Sequence, residues 1–435
     1  MTEERFFSTL VKTMREARRN KRFGRDCSQF ERNWVALLVR MMYRLWERIF
    51  RVDQNYAFLT SVPKWREIFA TFFEGRIADH LLCDTIAPYI ERELHPRTFN
   101  NRPGKGGQAA INQVIEDIYD VSNGYTEPCR IIKWDLKCCF PNADNDVIEG
   151  CFVSLIEKHR DELAEAYDVD FPDFLKWLAM VCVHAYPAQH CELRSPAFLW
   201  LDHISPEKSL FGKPDGIGAP IGRLTSQIGM GLYLNPEVQW LNEECGIRAT
   251  LFMDDCVEIV PEHLHGYALA LMPELRKRLA AKGLRLNEKK FYDQPYQHGC
   301  EFLGSHIKPH RTHINNNTYA SAMSRVEEFN GMQNKLFYID NVLSSINSYT
   351  GLMKGRTDFN RIMHLRDSLS SEWWEMFDWD ERRLCATYKP EFSVNARLIR
   401  KYHLKVKRYD KTRDPRAKEH CPEGHVRRRS TPRFH

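Results

Sequence analysis

Three aspartates stand where metal-assisted chemistry would need them. Asp254 and Asp255 are adjacent, flanked by "GIRATLFM" and "CVEIV", two β-prone runs that read as a hairpin with both carboxylates at its tip. Asp135 lies far upstream, at the end of the apolar run in "RIIKWDLKCCF". An Asp-Asp pair alone commonly caps a turn. A second strand-end aspartate changes its weight, because three carboxylates can then converge on one sheet edge. Magnesium prefers hard oxygen ligands and keeps some of its waters, so such a set needs no His or Cys. Two ions about 4 Å apart would activate a hydroxyl and clamp a triphosphate, the requirement for phosphoryl transfer from a nucleotide.

The elements that must position these residues are legible in the periodicity. After Asp135 the stretch "DNDVIEGCFVSLIEKHRDELAEAY" reads as a helix capped by Asp144 or Asn145, with Val147, Cys151 and Leu155 on its apolar side. After the hairpin, "LHGYALALMPELRKRLAAKG" reads as a helix closed by Gly283. The order strand, helix, hairpin, helix, strand is an α+β layout, with helices packed on an antiparallel sheet. Near the start, "RNWVALLVRMMYRLWERIF" puts Trp34, Leu37, Leu38, Met41, Leu45 and Ile49 on one helical stripe with an arginine-rich outer face. Residues 310–400 read as mainly helical, and no internal repeat is found.

A chain of 435 residues, 43% apolar and 12% aromatic, buries a large core and divides into subdomains. It has no run of eighteen apolar residues and no signal-peptide pattern, so the expectation is a cytoplasmic protein without a membrane span. The thirteen cysteines are scattered and odd in number, which suits reduced thiols rather than a disulfide framework. The net charge of +5 is concentrated at the end: residues 401–435 hold twelve Lys or Arg against four Asp or Glu. Lys405, Lys407, Arg408, Arg427, Arg428 and Arg429 are therefore candidate nucleic-acid contacts, the alternative being a solvated terminus. Cys182, His184, His190 and Cys191 are of zinc-ligating types, as are His420, Cys421 and His425, but neither spacing fits a known finger.

The order "WDLKCCF", "GAPIGRLTSQ", "LFMDDCVEI", "KGLRLNEKK" and "CEFLGSHI" resembles the successive palm motifs of bacterial reverse transcriptases of the group II intron, retron and diversity-generating retroelement class, including defence-associated members. The resemblance covers about residues 55–355. Upstream, "VPKWREIFATFFEGRIADHLL" and "NNRPGKGGQAAI" resemble the fingers motifs of that family, and "INSYTGLMK" the start of its thumb. It implies a right-hand polymerase: an N-terminal helical basic region (1–54), fingers (55–130), a palm (131–309) with a fingers insertion at about 143–215, a helical thumb (310–400) and a basic tail (401–435).

The resemblance further implies an RNA-directed DNA polymerase with two Mg2+ ions, Mn2+ being a possible substitute, held at Asp135, Leu136, Asp254 and Asp255. Asp135 and Asp254 would bind the metals and Asp255 support the site. Arg102 and Lys105 would hold the incoming dNTP triphosphate, and Phe140, five positions after Asp135, would be the gate against a ribose 2'-hydroxyl. Ile221, Gly222 and Gln227 would line the dNTP and template base, where Pro-Gln-Gly is common in the family. Lys290, or its neighbour Lys289, would protonate the leaving pyrophosphate. Met253, following Phe252, stands where Tyr or Ala is common, and a Met is an acceptable filler there. Implied partners are an RNA template, as a structured noncoding RNA, dNTPs, and a DNA primer or a protein- or RNA-primed cDNA. The expected role is antiviral defence. The alternatives are a diversifying retroelement enzyme and a non-catalytic, maturase-like RNA-binding protein.

Overall fold

The computed structural model describes residues 2–19, 24–61 and 64–393. Its organising strand is the one ending in Asp135. Ile131, Ile132 and Trp134 are each no more than 1% exposed, so this strand is covered on both faces although Arg130, Lys133 and Asp135 interrupt its apolar residues.

In chain order the first compact unit, which reaches Tyr296, contains helices α1 (Glu3–Ala17), α2 (Arg25–Glu31) and α3 (Trp34–Trp46), strands β1 (Asn55–Thr60) and β2 (Arg66–Thr71), and helices α4 (Phe73–Glu93) and α5 (Gly107–Val121). Strand β3 (Cys129–Asp135) follows, then α6 (Cys139–Asn142), α7 (Asn145–Lys158), α8 (Arg160–Ala166), α9 (Phe171–Val183), β4 (Cys191–Leu193), α10 (Phe198–His203) and α11 (Leu224–Gln239). The unit closes with β5 (Arg248–Phe252), β6 (Asp255–Pro261), α12 (His265–Ala280) and β7 (Tyr292–Pro295).

The fold is mixed α+β. Its main sheet has the order β5-β6-β3-β7, antiparallel throughout. A second sheet pairs β1 with β2 antiparallel and with β4 parallel. Helices α1, α3, α4, α7, α9 and α11 supply the principal core, through residues such as Leu10, Leu38, Leu81, Phe152, Leu178 and Tyr233.

Local chemistry explains the element ends. Asp144 caps α7 by accepting from the backbone N–H groups of Asp146 (2.9 Å) and Val147 (3.3 Å). Burial along α7 is carried by Ile148, Phe152, Leu155 and Ile156, while the expected Val147 and Cys151 are half-buried. Gly283, at φ +72°, takes the left-handed turn beyond α12. On α3, Leu38, Met41 and Leu45 are fully buried as the stripe predicts, but the helix stops at Trp46 and Ile49 is 62% exposed.

The second unit begins at Gln297, inside the segment the sequence reading assigned to the palm. It contains β8 (Cys300–Phe302), β9 (Ser305–Lys308), β10 (Arg311–Ile314), α13 (Asn316–Asn330), α14 (Ile339–Met353), α15 (Phe359–Ser368), α16 (Ser371–Trp374), β11 (Phe377–Asp380) and β12 (Cys385–Tyr388). Its own core gathers Val326, Phe329, Val342, Ile346, Leu365, Trp373 and Phe377. The β11–β12 pair is a departure from the expected helical run. The basic tail with Lys405, Lys407, Arg408 and Arg427–Arg429, and the His420, Cys421, His425 group, lie outside the described residues.

Candidate active site at the β3 and β5–β6 strand ends

Ladder register brings the aspartates together. Asp135, the last residue of β3, is paired directly with Asp255, the first of β6, and Asp255 is also paired with Phe252 of β5. Met253 and Asp254 form the tip between the strands, with Met253 at φ +59°. The carbonyl of Asp254 accepts from Leu136 N–H at 3.0 Å, which ties the tip to the chain leaving β3. Side chains at directly opposed positions share a sheet face, and a one-residue slip would move Asp255 to the other.

Asp135 is 6% exposed, and Asp254 and Asp255 are half-buried. Burial, and then the nearby Asp135 carboxylate, hold the Asp254 carboxyl above its usual range. Burial pushes Asp255 up to about 6 despite the Lys133 ammonium at 2.6 Å. Asp135 is met by Lys290 Nζ at 2.5 Å and by Asn287 Nδ2 at 3.3 Å. The geometry thus assigns the cation beside Asp135 to Lys290, and its neighbour Lys289 is exposed.

With Lys133 on Asp255 and Lys290 on Asp135, the three carboxylates do not already form a nest. Among the described residues no group of three His, Cys, Asp or Glu side chains is arranged to hold a metal. The donor chemistry nevertheless fits magnesium. It is all oxygen, and the Asp135 carboxylate adds to the cost of ionising Asp254, which a divalent cation relieves; magnesium takes one or two carboxylates and completes its shell with water and substrate phosphate.

Around this centre, Phe140 sits in the short α6 turn that follows the left-handed Cys138. Its carbonyl accepts from Ala219 N–H (2.8 Å), and the Ala143 carbonyl accepts from Gly218 N–H (2.7 Å), so the "GAPIG" loop is fastened to that turn. The loop is fastened on its other side to β2. The Ile221 carbonyl accepts from Phe69 N–H at 2.8 Å, and a Cβ on Gly222 (φ +119°) would lie 2.5 Å from the Phe69 carbonyl oxygen. Ile221 and Gln227 are half-buried. Beneath them the Arg223 guanidinium is buried against Asp79 (2.5 and 3.2 Å) and the Cys182 carbonyl (2.6 Å).

Arg102 and Lys105 are placed differently from the expectation of triphosphate contacts. Arg102 has a side chain only 6% exposed, donates to the Glu91 carboxylate at 3.1 Å, and donates to the carbonyls of His95 and Thr98 at 2.9 and 3.0 Å. Lys105 Nζ donates to the Pro96 carbonyl at 2.7 Å and lies over the Phe99 ring. Arg102 ties the loop before α5 to α4, and Lys105 engages one of its three N–H groups on the same loop.

Lys64, one lysine within "VPKWREIF", lies in the field of Asp254, Asp135 and Lys290. Burial first, then Lys290 and Arg66, lower its pKa. A lone Lys in "VPKWREIF" gives no pattern from which to read this. Among the described residues the cysteines and histidines considered for zinc form no metal-holding group: Cys182 is buried in the Asp79–Arg223 cluster, and His184 meets Glu149 and Tyr186, each at 2.8 Å.

No family model and no curated protein matches the sequence. Among solved structures, it is similar to telomerase from Candida albicans in complex with a TWJ fragment of telomeric RNA, at 10% identity and a TM-score of 0.43, over 74% of this chain and 55% of that one. Apo telomerase from Candida tropicalis gives 12% identity and a TM-score of 0.43, over 74% and 59%. This chain thus spans a little over half the length of those proteins, and at these scores the likeness carries no functional assignment.

Proposed function

We propose that this chain is an RNA-directed DNA polymerase that extends a DNA primer, or a protein- or RNA-primed cDNA, on an RNA template. The observation that carries the reading is the direct pairing of Asp135 with Asp255 beside Asp254, with Lys290 and Lys64 in the same field. A right-hand polymerase of the bacterial reverse transcriptase class, with its palm on the four-stranded sheet, is the architecture this reading adopts.

Asp135 and Asp254 would hold two magnesium ions, or manganese in their place, and the ions supply Lewis acidity to the primer hydroxyl and the triphosphate. Asp255, committed to Lys133, stiffens the end of β6. Lys64, in the field of Asp254 and Asp135, would be a cation for the incoming triphosphate; this role is supported more directly for it than for Arg102 and Lys105, which donate to Glu91 and backbone carbonyls. Lys290 delivers a proton to the departing pyrophosphate. Phe140, on a turn fastened to the 218–222 loop, excludes a 2'-hydroxyl, and Ile221 packs where a glutamine would hydrogen-bond.

Primer extension on RNA and DNA templates, with dNTPs and with rNTPs, tests the assignment. Asp254→Ala abolishes extension while the thermal midpoint is retained; near wild-type extension by that variant sinks the reading. Preferential rNTP incorporation would make the enzyme an RNA polymerase instead. The biological role proposed is antiviral defence by copying a dedicated noncoding RNA, because residues 359–388 extend the second unit with α15, α16 and β11–β12 instead of ending at α14. Sequencing the cDNA made in cells tests this. One short, faithfully copied RNA supports defence, and errors concentrated at one template base favour the diversifying alternative.

A further inference from the structure

Among the described residues β5 is the end strand of the four-stranded sheet, so the backbone groups on its outer side need partners other than a neighbouring strand of that sheet. They are met one residue pair at a time. Asn242, just beyond α11, serves Ala249 with its side-chain amide, donating to the carbonyl at 3.0 Å and accepting from the N–H at 3.2 Å. Two residues on, the chain at Arg97–Phe99 runs parallel to the strand: the Arg97 carbonyl accepts from Leu251 N–H at 2.9 Å, and Phe99 N–H donates to the Leu251 carbonyl at 3.0 Å. Two further on is Met253, whose N–H donates to Asn100 Oδ1 at 3.4 Å.

That last contact falls where the backbone needs holding. Met253 is left-handed at φ +59°, a conformation that a residue with a Cβ keeps only when its surroundings impose it. Asp254 comes next, and its carbonyl is tied to Leu136 N–H at 3.0 Å. The tip is therefore held from β3 on one side and by Asn100 on the other.

Asn100 is itself firmly placed. It is 2% exposed, and α11 makes room for its amide with Gly231, where a Cβ would lie 3.3 Å from Asn100 Nδ2. The chain leading to it is strapped down along its length. His95 N–H donates to Asn235 Oδ1 at 2.8 Å, the Arg97 guanidinium donates to Asp117 of α5 at 2.8 Å, and Arg102 donates to the His95 and Thr98 carbonyls.

We propose that Asn100 is a positioning residue for Asp254, acting through the Met253 N–H, and that Arg102 and Lys105 serve the strap that carries it. A carboxylate that must share a metal tolerates displacements of only about 0.5 Å, so a strained tip needs support from both sides. The purpose given to Asn100 rests on the polymerase reading; its hold on Met253 does not.

The first test is deuterium exchange, resolved to single amides, on full-length protein. Asn100→Ala and the near-isosteric Asn100→Leu should each speed exchange at Met253 roughly two- to tenfold, the range for loss of one neutral hydrogen bond. Leu251 N–H, held by backbone, should keep its rate. An unchanged rate at Met253, equal acceleration at both amides, or an effect of Asn100→Ala alone overturns the proposal, the last because the side chain would then only fill space. The second test is binding of Mn2+ alone, with the free ion measured by electron paramagnetic resonance. Asn100→Leu should weaken it roughly tenfold, the low end for groups that orient a metal ligand, and should weaken it less in a Met253→Gly background, because glycine holds φ +59° without steric cost. Unchanged affinity, or the same loss in both backgrounds, overturns the proposal. Asp254→Ala separates the two readings. Weakened Mn2+ binding there but not in Asn100→Leu sinks this proposal alone, whereas unaltered binding in Asp254→Ala counts against the polymerase reading and takes the purpose of Asn100 with it.

Discussion

Glu258 should make the first unit less stable as pH rises, and Glu258→Gln should remove that dependence. The carboxyl lies on β6, three residues beyond Asp255, with no exposed surface. Trp134 Nε1 donates to Oε1 at 2.6 Å, while Oε2 is buried without a hydrogen-bond partner. Burial pushes its pKa up to about 7, from an ordinary 4.5, and the indole bond offsets only part of the effect. A raised carboxyl keeps its proton in the folded state at pH values where the unfolded chain has lost it. Stability is therefore lost progressively between about pH 4.5 and 7, and the loss is complete above that. Some 2.5 units at about 1.36 kcal/mol each give a penalty of about 3 kcal/mol at pH 8, on the order of 5 °C in thermal midpoint. Glutamine keeps an acceptor for Trp134 and does not titrate. Thermal unfolding of both proteins from pH 5 to 8.5 should show nearly equal midpoints at the acid end and a growing advantage for Glu258→Gln towards pH 8. A difference that stays flat with pH would refute the reasoning, since it would mean that Glu258 is not held protonated by the fold.

Phe140→Ala should raise rNTP incorporation relative to dNTP on the order of 10- to 100-fold; unchanged discrimination in single-nucleotide extension would remove Phe140 from the gate. Asp79→Ala strands the Arg223 guanidinium, whose side chain is 1% exposed, without its carboxylate, and should cost about 3–5 kcal/mol in urea denaturation. A cost below about 1 kcal/mol would show that the pair is not what anchors the 218–222 loop. Lys290→Ala should slow extension yet lower the magnesium concentration for half-maximal rate about two- to fivefold, the range expected for removing a half-exposed ion pair from Asp135; a raised magnesium requirement counts against the competition.

The placement of the three aspartates was legible because it follows from local rules. An apolar run ending in Asp135 and two β-prone runs meeting at Asp254 and Asp255 dictate strand ends, and the cap at Asp144 and the turn at Gly283 follow from residue chemistry at helix termini. What stayed hidden depends on partners distant in sequence or on patterns too short to stand out. "RPGKGG" reads as a free basic loop until Glu91 of α4 and the carbonyls at its end are seen to take up Arg102. Lys64 is one lysine among many until the fold sets it beside the carboxylates. The strands "FDWD" and "CATY" are four residues each within a helical stretch, and they form because Phe377 and Ala386 can enter the core around Trp373.

The two lysines at the site divide the aspartates into different roles. Asp135 and Asp255 face each other at the end of one ladder, where two carboxylates repel, and each is answered by an ammonium. Lys133 comes from the centre of β3 and its side chain is 9% exposed, whereas Lys290 reaches in from the segment before β7 and its side chain is 47% exposed. Breaking a buried pair leaves an uncompensated charge in a low-dielectric place, and breaking an exposed one costs little because water replaces the partner. On the proposed function, a divalent cation arriving at the strand ends would therefore compete with Lys290 and not with Lys133. Asp135 is the carboxylate that can change partners, and Asp255 is the one that cannot. Among the described residues no direct ion pair holds Asp254, which leaves it open to be the second ligand that the proposed function assigns beside Asp135. The lysine displaced from Asp135 is then the group left facing the site with a proton to give, which joins the ion pair seen here to the role proposed for Lys290.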